Sequence, residues 1–380
     1  ARVGRFGATD AHAPHLALPW VLLGVLAVVG IWAAPSAGAV VDATEPWTDA
    51  LLLALTAITV LPALAARSRL VAVILIGGAG FVVALWFFAL GAIDVGLTQL
   101  LVELLTVVAL VLFLRRLPAL FHRVRRSRTA ITATIAVVAG LLATIATLAL
   151  TGRRDLSPAG QAFLERAYVD TGGTNIVNTI LVEYRALDTF GELTVVAVAG
   201  IVLSAVLAAR RLQPERTPEV GARGATALGR ATDNTLPVRV VARWAAPVVI
   251  ALSAYLFLRG HYEPGGGFIA ALVGGTGFAL AYLGAASDTS APVRWPYRRL
   301  FAAGVVIAAL SGLWGLAAGS FLKPVRFDIP LPWGGEYGFT SALVFDLGVY
   351  LAVVAIVIAL LNEVGGVLGR RADDREEVRA

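Results

Sequence analysis

The chain has 380 residues, of which 58% are hydrophobic and only 15% are charged, and its mean hydropathy is +0.81. This composition excludes a water-soluble globular domain and indicates an integral membrane protein. The net charge of +6 would suggest nucleic-acid binding in a soluble protein, but here the basic residues follow membrane topology, so no nucleic-acid partner is predicted.

Ten stretches of about 20 apolar residues are long enough to cross the hydrocarbon core as helices. Uninterrupted apolar runs of this length differ from the alternating ten-residue pattern of a membrane barrel. The sequence therefore predicts an all-α, polytopic transmembrane helical protein in a lipid bilayer. Its spans are predicted at residues 16–34, 47–66, 70–90, 94–114, 129–150, 187–209, 238–258, 268–286, 300–320 and 340–361.

Most of the 31 basic residues lie in segments that share a side of the membrane with the N-terminus. Because such residues are retained in the cytoplasm, both termini are predicted to be cytoplasmic. The chain has no Cys, which excludes disulfides and thiolate metal sites. It also has no Met, so we expect it to be a piece of a longer polypeptide.

Glycines recur within single predicted spans. We expect them to let helices pack closely, and the alternative is a local kink. The clusters are Gly77, Gly78 and Gly80, then Gly274, Gly275 and Gly277, then Gly315 and Gly319.

The fourth predicted span carries polar side chains that are costly in hydrocarbon. Glu103 lies midway along it, about 13 Å from either end, too deep for its side chain to reach water unaided. It is predicted to move ions or protons, and the alternative is a neutral, hydrogen-bonded structural Glu. Gln99, one turn earlier, can hydrogen-bond Glu103 or support a water chain. Asp94 is either another ion-handling group or an N-terminal helix cap.

Residues 151–186 are irregular, and Ser157-Pro158 predicts the start of a short interfacial helix. A second amphipathic stretch follows at 174–184, where Asn175, Asn178 and Glu183 alternate with apolar residues. This stretch is either a membrane-surface helix without chemistry or part of a functional site.

Asp188 and Glu192 are spaced i, i+4 at the start of the sixth span, so both carboxylates point the same way. Repulsion between them should raise one pKa and give a group that exchanges protons near neutral pH. The alternative is two solvated carboxylates with Arg185 as counter-charge.

The segment 210–237 is rich in Pro, Gly and mixed charges and is predicted to be a cytoplasmic linker. It separates a six-span module at 1–209 from a four-span module at 238–380, which includes a cytoplasmic tail. This 6+4 division suggests a fusion of two membrane modules.

The sequence Gly260-His261-Tyr262-Glu263-Pro264-Gly265-Gly266-Gly267-Phe268 interrupts two apolar stretches. Pro264 and the glycines predict a tight re-entry into the membrane, with His261 and Glu263 lining an outer vestibule. Asp346 lies near the predicted outer end of the last span and is a further candidate for ion handling.

Three segments resemble components of the multiple resistance and pH (Mrp) type Na⁺/H⁺ antiporters, which are related to the membrane arm of respiratory complex I. Residues 91–103 resemble the Gly-Ala-Pro-Asp...Val-Glu signature of the large A subunit, and residues 175–192 resemble the segment that follows it. Residues 260–268 resemble the Gly-His-Asn-x-Pro-Gly-Gly-Gly-Phe turn of the B subunit, and 345–350 its last span.

The resemblance implies the C-terminal part of an A subunit fused to a B subunit in a bacterial cell membrane. It also implies an upstream antiporter-like domain and several small membrane subunits as partners. Na⁺ and H⁺ would be the transported ions, with Glu103, Asp188 and Glu192 as relays or transient Na⁺ ligands.

The sequence has no phosphate-binding loop, zinc pair or nucleophile elbow, so neither a cofactor nor an enzymatic activity is predicted. The expected function is that of an antiporter subunit that expels Na⁺ with the proton gradient. The alternatives are a membrane scaffold that moves no ions and the ion-pumping module of a hydrogenase-like redox complex.

Overall fold

A computed structural model describes residues 24, 25, 28, 46–114, 118–121, 126–151, 157–211, 225–226, 229–230, 236–284, 296–330, 332, 334 and 336–377. The first predicted span, 16–34, lies almost wholly outside these residues. Within them the fold is predominantly helical, and the predicted all-α, polytopic class is confirmed.

The described residues include eleven α-helices and one π-helical turn, Ile180–Tyr184. The helices are α1 Pro46–Ala65, α2 Arg69–Ala89, α3 Ile93–Leu114, α4 Arg126–Thr151, α5 Pro158–Thr171, α6 Ile176–Thr179, α7 Ala186–Arg211, α8 Leu236–Arg259, α9 Gly267–Leu283, α10 Tyr297–Leu316 and α11 Ser341–Glu377.

Six of these helices, α1, α2, α3, α8, α10 and α11, are long and apolar enough to cross a membrane. The predicted spans 129–150 and 187–209 are helical as well and fall in α4 and α7, and the predicted span 268–286 is helical as far as Leu283, in α9. Helix α9 is short, and its apolar part runs from Gly267 to Tyr282.

The chain divides into two compact units, one of Ala1–Pro46 with Phe121–Gly160 and one of Trp47–Leu120 with Gln161–Ala380. In the second unit α2 packs on α3, α8 on α9, and α10 on α11, while α9 also contacts both α3 and α11. Its hydrophobic core includes Val182 and Leu193 together with Leu272 and Phe345. Residues from both sides of the predicted linker therefore share one core.

Most of the predicted glycine clusters are packing positions. A Cβ atom at Gly77 would lie 2.6 Å from Val107, and one at Gly275 would lie 2.9 Å from Val357. The expectation for Gly319 is wrong, because α10 ends at Leu316 and Gly319 follows in a turn with φ +103°. Gly319 therefore has a left-handed backbone conformation that glycine tolerates, and a Cβ atom added there would meet no atom within 4 Å.

Two antiparallel hairpins are the strands of the described region: β1 (Ala225–Thr226) with β2 (Gly229–Arg230), and β3 (Arg326–Pro330) with β4 (Glu336–Thr340). Neither was predicted, although Phe327 and Ile329 alternate with polar residues as strand residues do. The register of the longer hairpin pairs Arg326 with Thr340.

Helices α10 and α11 touch through their backbones at two glycines. A Cβ atom at Gly304 would lie 2.6 Å from the Gly348 carbonyl oxygen and 2.8 Å from the Ala352 nitrogen. Gly304→Ala should therefore lower the melting temperature, since overpacking costs about 1–3 kcal/mol. Gly140→Ala in α4, where a Cβ meets nothing within 4 Å, should leave stability unchanged or raise it. In thermal melts of the two purified variants, Gly304→Ala should therefore melt at a lower temperature than Gly140→Ala, and equal melting temperatures would contradict the backbone contact.

Candidate ion-handling site

The glycine loop, residues Gly260–Gly266, joins α8 to α9 and folds back on the end of α8. Gly266 has φ +91°, which favours glycine, and its N–H donates to the Leu256 carbonyl at 3.1 Å. A Cβ atom at Gly260 would lie 2.1 Å from the Gly266 nitrogen. Arg259 Nε donates to the Pro264 carbonyl at 3.1 Å and closes the turn. The predicted tight re-entry is thus built from close backbone approaches.

Two buried carboxyl groups from different helices hold the end of this loop. The Gly265 N–H donates to Oδ1 of Asp94, in the first turn of α3, at 2.9 Å. The Gly267 N–H donates to Oδ2 of Asp346 in α11 at 2.6 Å. Asp94 is 8% exposed and Asp346 is 4% exposed. The Asp94 side chain is therefore more than a cap of its own helix, because it connects α3 to the loop before α9.

The segment 174–179 lies directly on the glycine loop. Asn175 Nδ2 donates to the carbonyls of Gly260 at 3.0 Å and Glu263 at 2.9 Å, and the Asn175 N–H donates to the His261 carbonyl at 3.2 Å. Its Oδ1 accepts from the Asn178 N–H and caps α6. Asn178 is buried and its Oδ1 lies against Gly266. The segment 174–184 therefore packs against the glycine loop, where the Asn175 side chain satisfies two loop carbonyls.

Glu183 is on the π-helical turn, and its side chain is 3% exposed. Its Oε1 lies 3.7 Å from Nδ1 of His261 and accepts no hydrogen bond from the residues that the structure describes. Arg326 of β3 and Thr340 of β4 lie beside the same carboxyl group. Burial raises the pKa of Glu183 to about 7, and the Arg326 charge and the Thr340 hydroxyl oppose this rise.

The His261 ring is buried beside Glu183 and contacts two further groups. Its Nε2 lies 3.3 Å from the Thr171 carbonyl, and its ring packs edge-on against Tyr262. Burial lowers the pKa of His261, the Thr171 hydrogen bond opposes this, and the Arg326 charge lowers the pKa further. His261 thus lies inside the protein rather than lining an open vestibule.

Glu103 lies apart from this cluster, at the contact between α3 and α2. A Cβ atom at Gly80 would lie 2.2 Å from Glu103 Oε2, so the absence of a side chain at Gly80 makes room for the carboxyl group. Glu103 and Gln99 are both half-buried. No hydrogen bond joins them in the described part of the chain, so the predicted contact between them is not formed there.

Asp188 and Glu192 both lie on the exposed side of α7. Asp188 forms an ion pair with Arg185. This geometry agrees with the alternative of solvated carboxylates more closely than with a coupled buried pair. Glu263 is also exposed, at 64%, and lies 3.8 Å from Arg259.

The structure therefore gathers Asp94, Asn175, Asn178, His261 and Asp346 around one loop, with Glu183 at its edge. It does not gather Glu103, Asp188 and Glu192, and no group of three or more acidic, His or Cys side chains within the described residues has the spacing of a metal site. Sequence reasoning missed Arg326 and Thr340. The sequence offered only a weak signal for them, namely one Arg in a predicted outer loop that has few basic residues.

Comparison with known proteins identifies the family of this chain. A model of a domain related to the MnhB subunit of Na⁺/H⁺ antiporter matches residues 237–359. Models of the MBH D and E subunits match residues 54–119 and 124–221, respectively. The B subunit of the Na⁺/H⁺ antiporter from Alkalihalophilus pseudofirmus is 33% identical over 130 residues, which are 34% of this chain and 90% of that protein. The chain belongs to the Mrp-type antiporter subunit family.

Longer matches within the Mrp family cover both predicted modules. A Rhizobium meliloti protein, named as the A/B subunit of a probable K⁺/H⁺ antiporter, is 35% identical over 331 residues, which are 78% of this chain and 32% of that protein. A chain in the structure of the Mrp complex from Dietzia sp. DQ12-45-1b is 46% identical, with a TM-score of 0.82. That match covers 96% of this chain and 40% of the Dietzia chain. The chain thus spans about a third of the fused relative, and its likeness to an A/B fusion is confirmed.

The raised pKa of Glu183 predicts a pH-dependent stability for this Mrp-family chain. A raised pKa means that folding favours the protonated group, so its contribution is present below pH 4.5 and is lost as pH rises through about 7. The loss is on the order of 3 kcal/mol. His261 acts oppositely, because its lowered pKa removes stability as pH falls below 6.5. Glu183→Gln should therefore gain stability relative to the wild type as pH rises from 5 to 8.

The check is a series of thermal melts of the purified protein in its native assembly across this pH range. Glu165→Gln, at an exposed position on α5, is the matched control and should keep a constant difference from the wild type. A constant difference for Glu183→Gln as well would contradict the role of burial.

Proposed function

We propose that this chain is the ion-handling C-terminal part of a cation/proton antiporter, which expels Na⁺ from the cytoplasm and is driven by inward proton flow. The observation that carries this proposal is a set of carboxyl groups at helix contacts inside the membrane part: Asp94, Glu103 and Asp346. Carboxyl groups in this environment are costly, so they are kept where they serve ion or proton movement.

Glu103 is the strongest candidate for ion exchange among them. Its carboxyl group fills the space left by Gly80 and accepts no hydrogen bond from the described residues, so both oxygens are available. Hard cations prefer oxygen ligands, and a carboxylate can hold either a proton or a cation. Exchange of H⁺ for Na⁺ at this group is the simplest form of antiport chemistry.

Asp94 and Asp346 have a different proposed role. Each accepts a short backbone hydrogen bond from the glycine loop, so each links ion occupancy to the position of α9. Asp188 and Glu192 remain proposed relays at the surface of α7, where a neighbouring subunit would complete their surroundings.

The proposed partners follow from the family. They are an antiporter-like A-subunit domain preceding this chain, several small membrane subunits, and the bilayer of a bacterial cell. Na⁺ and H⁺ are the proposed ions. K⁺ is the cation to test beside them, because the fused relative carries a K⁺/H⁺ name.

Glu103→Gln should reduce cation-dependent proton exchange at least tenfold, because Gln keeps the size of the side chain but cannot bind or release a proton. The measurement is the decay of a pH gradient in membrane vesicles that contain the whole complex, after addition of Na⁺ or K⁺. Glu165→Gln, a neutralised carboxylate on the exposed face of α5, should retain wild-type exchange.

Size-exclusion chromatography of the same complexes separates antiport from the alternatives. A wild-type rate of exchange in Glu103→Gln would contradict the proposed role of Glu103. Loss of assembly on neutralising Glu103, Asp188 and Glu192 singly would support the scaffold function instead. Co-purification of soluble iron–sulfur subunits would support the redox module.

We also propose that both termini are cytoplasmic and that the glycine loop faces outward. Loops predicted to share a side do meet: Ser68 pairs with Leu120, and residues 174–179 lie on the glycine loop. The chain has no Cys, so single Cys substitutions can test the orientation. A membrane-impermeant maleimide applied to intact cells should label Ser320→Cys but should label Arg67→Cys only after permeabilisation. The reverse pattern would overturn the orientation.

A further inference from the structure

Glu183 has a buried oxygen without a hydrogen-bond donor, and this calls for an explanation. Its side chain is 3% exposed, and within the described residues its Oε1 has no hydrogen-bond partner. Desolvating a carboxylate oxygen without a donor costs several kcal/mol unless the group binds a proton or an ion. His261 Nδ1 lies 3.7 Å from this oxygen.

The Thr171 carbonyl determines which tautomer of His261 is present. A carbonyl oxygen only accepts, so the 3.3 Å contact with His261 Nε2 requires the proton to be on Nε2. The neutral ring therefore presents the bare lone pair of Nδ1 to Glu183 Oε1. Two acceptors facing each other in a buried space attract one proton between them, and a movement of about 1 Å brings them to hydrogen-bond distance.

We propose that Glu183 Oε1 and His261 Nδ1 form a proton-binding site that holds one exchangeable proton on the outer side of the chain. The proton arrives from water and attaches to Glu183 as a neutral carboxyl group that donates to Nδ1. On release it returns to water or passes to the next acceptor and leaves a carboxylate beside a neutral imidazole. No other bond forms or breaks.

The charged groups around the pair allow both states to exist. Arg326 of β3 faces the pair, and the Thr340 hydroxyl of β4 faces Glu183. When Glu183 is deprotonated, its carboxylate therefore has a cation and a hydroxyl beside it. On the other side, Tyr184 donates to Asp170 of α5 at 3.0 Å, and Asp170 is paired with Arg166. Arg259 and Glu263, at the exposed part of the glycine loop, pair with each other.

The local backbone also suits a site that must adjust. Glu183 is on the π-helical turn, a form that is rare and is frequent at functional sites. Arg326 reaches the pair across Gly172, which has φ +71° and where a Cβ atom would lie 1.9 Å from the guanidinium group. A side chain at position 172 would therefore displace the counter-charge of the site.

The role of this site in proton supply to antiport rests on the proposed function, whereas the binding of the proton does not. Infrared difference spectroscopy of the purified complex between pH 5 and 9 tests the binding directly, through the carbonyl stretch of a protonated carboxyl group. We expect a band that disappears as pH rises through neutrality, is absent in Glu183→Gln and is retained in Glu165→Gln.

Arg326→Gln provides a second variant at an exposed residue and keeps the test decisive if Glu183→Gln assembles poorly. Removal of the positive charge should move the midpoint of the band upward by about one pH unit. A titrating band that persists in Glu183→Gln, or a midpoint unmoved in Arg326→Gln, would overturn the shared-proton site.

Exchange assays on the same complexes then test its role. The dependence of exchange on the pH of the outer compartment gives an apparent affinity for protons. This affinity should fall at least tenfold in Glu183→Gln and should be unchanged in Glu165→Gln. A lost infrared band with an unchanged pH profile would overturn the role in proton supply. A complex that exchanges no ions at all would contradict the proposed function, and the infrared titration would still decide the site.

Discussion

Two backbone N–H groups of the glycine loop, those of Gly265 and Gly267, are the contacts on which the second unit depends. They donate to buried carboxyl groups of α3 and α11, and each partner would be costly to bury without the other. The close approaches at Gly260 and Gly266 exclude any side chain there. Helices α3, α9 and α11 are thereby joined at one point, and Asn175 satisfies the loop carbonyls on the remaining side.

The carboxyl groups of Asp94, Glu103, Glu183 and Asp346 fall into two physical kinds. Asp94 and Asp346 accept hydrogen bonds from fixed backbone amides, so a proton or cation that binds them must compete with those bonds. Glu103 and Glu183 Oε1 accept none from the described residues, so under the proposed function a proton or cation would bind them without breaking such a bond. Carboxyl groups without backbone hydrogen bonds therefore suit the exchange of ions, whereas those with such bonds suit the positioning of helices.

The helices and several of the site residues could be predicted from the sequence, because apolar runs of span length and polar groups within them are strong signals. The partners of those groups could not be predicted. Asp94 and Gly265 are 171 residues apart, and nothing local indicates that they meet. Residues 174–184 have the alternation of a surface helix, and their pattern does not indicate that a loop covers Asn175 and Asn178. Arg326 became part of the site through the β3–β4 register, which Phe327 and Ile329 alone were too few to predict.

The hydrogen bond between Asp94 and Gly265 has a consequence for how the protein is made. During synthesis α3 is complete long before the glycine loop leaves the ribosome, and at about 5–20 residues per second the interval is on the order of 10–30 s. In that time the carboxyl group of Asp94 lacks its Gly265 partner, and the amide of Asn175, which is 85 residues before Gly260, lacks its own partner for about half as long. The contacts that hold α3 in the second unit are therefore completed only after the last four helices, α8 to α11, have been synthesised.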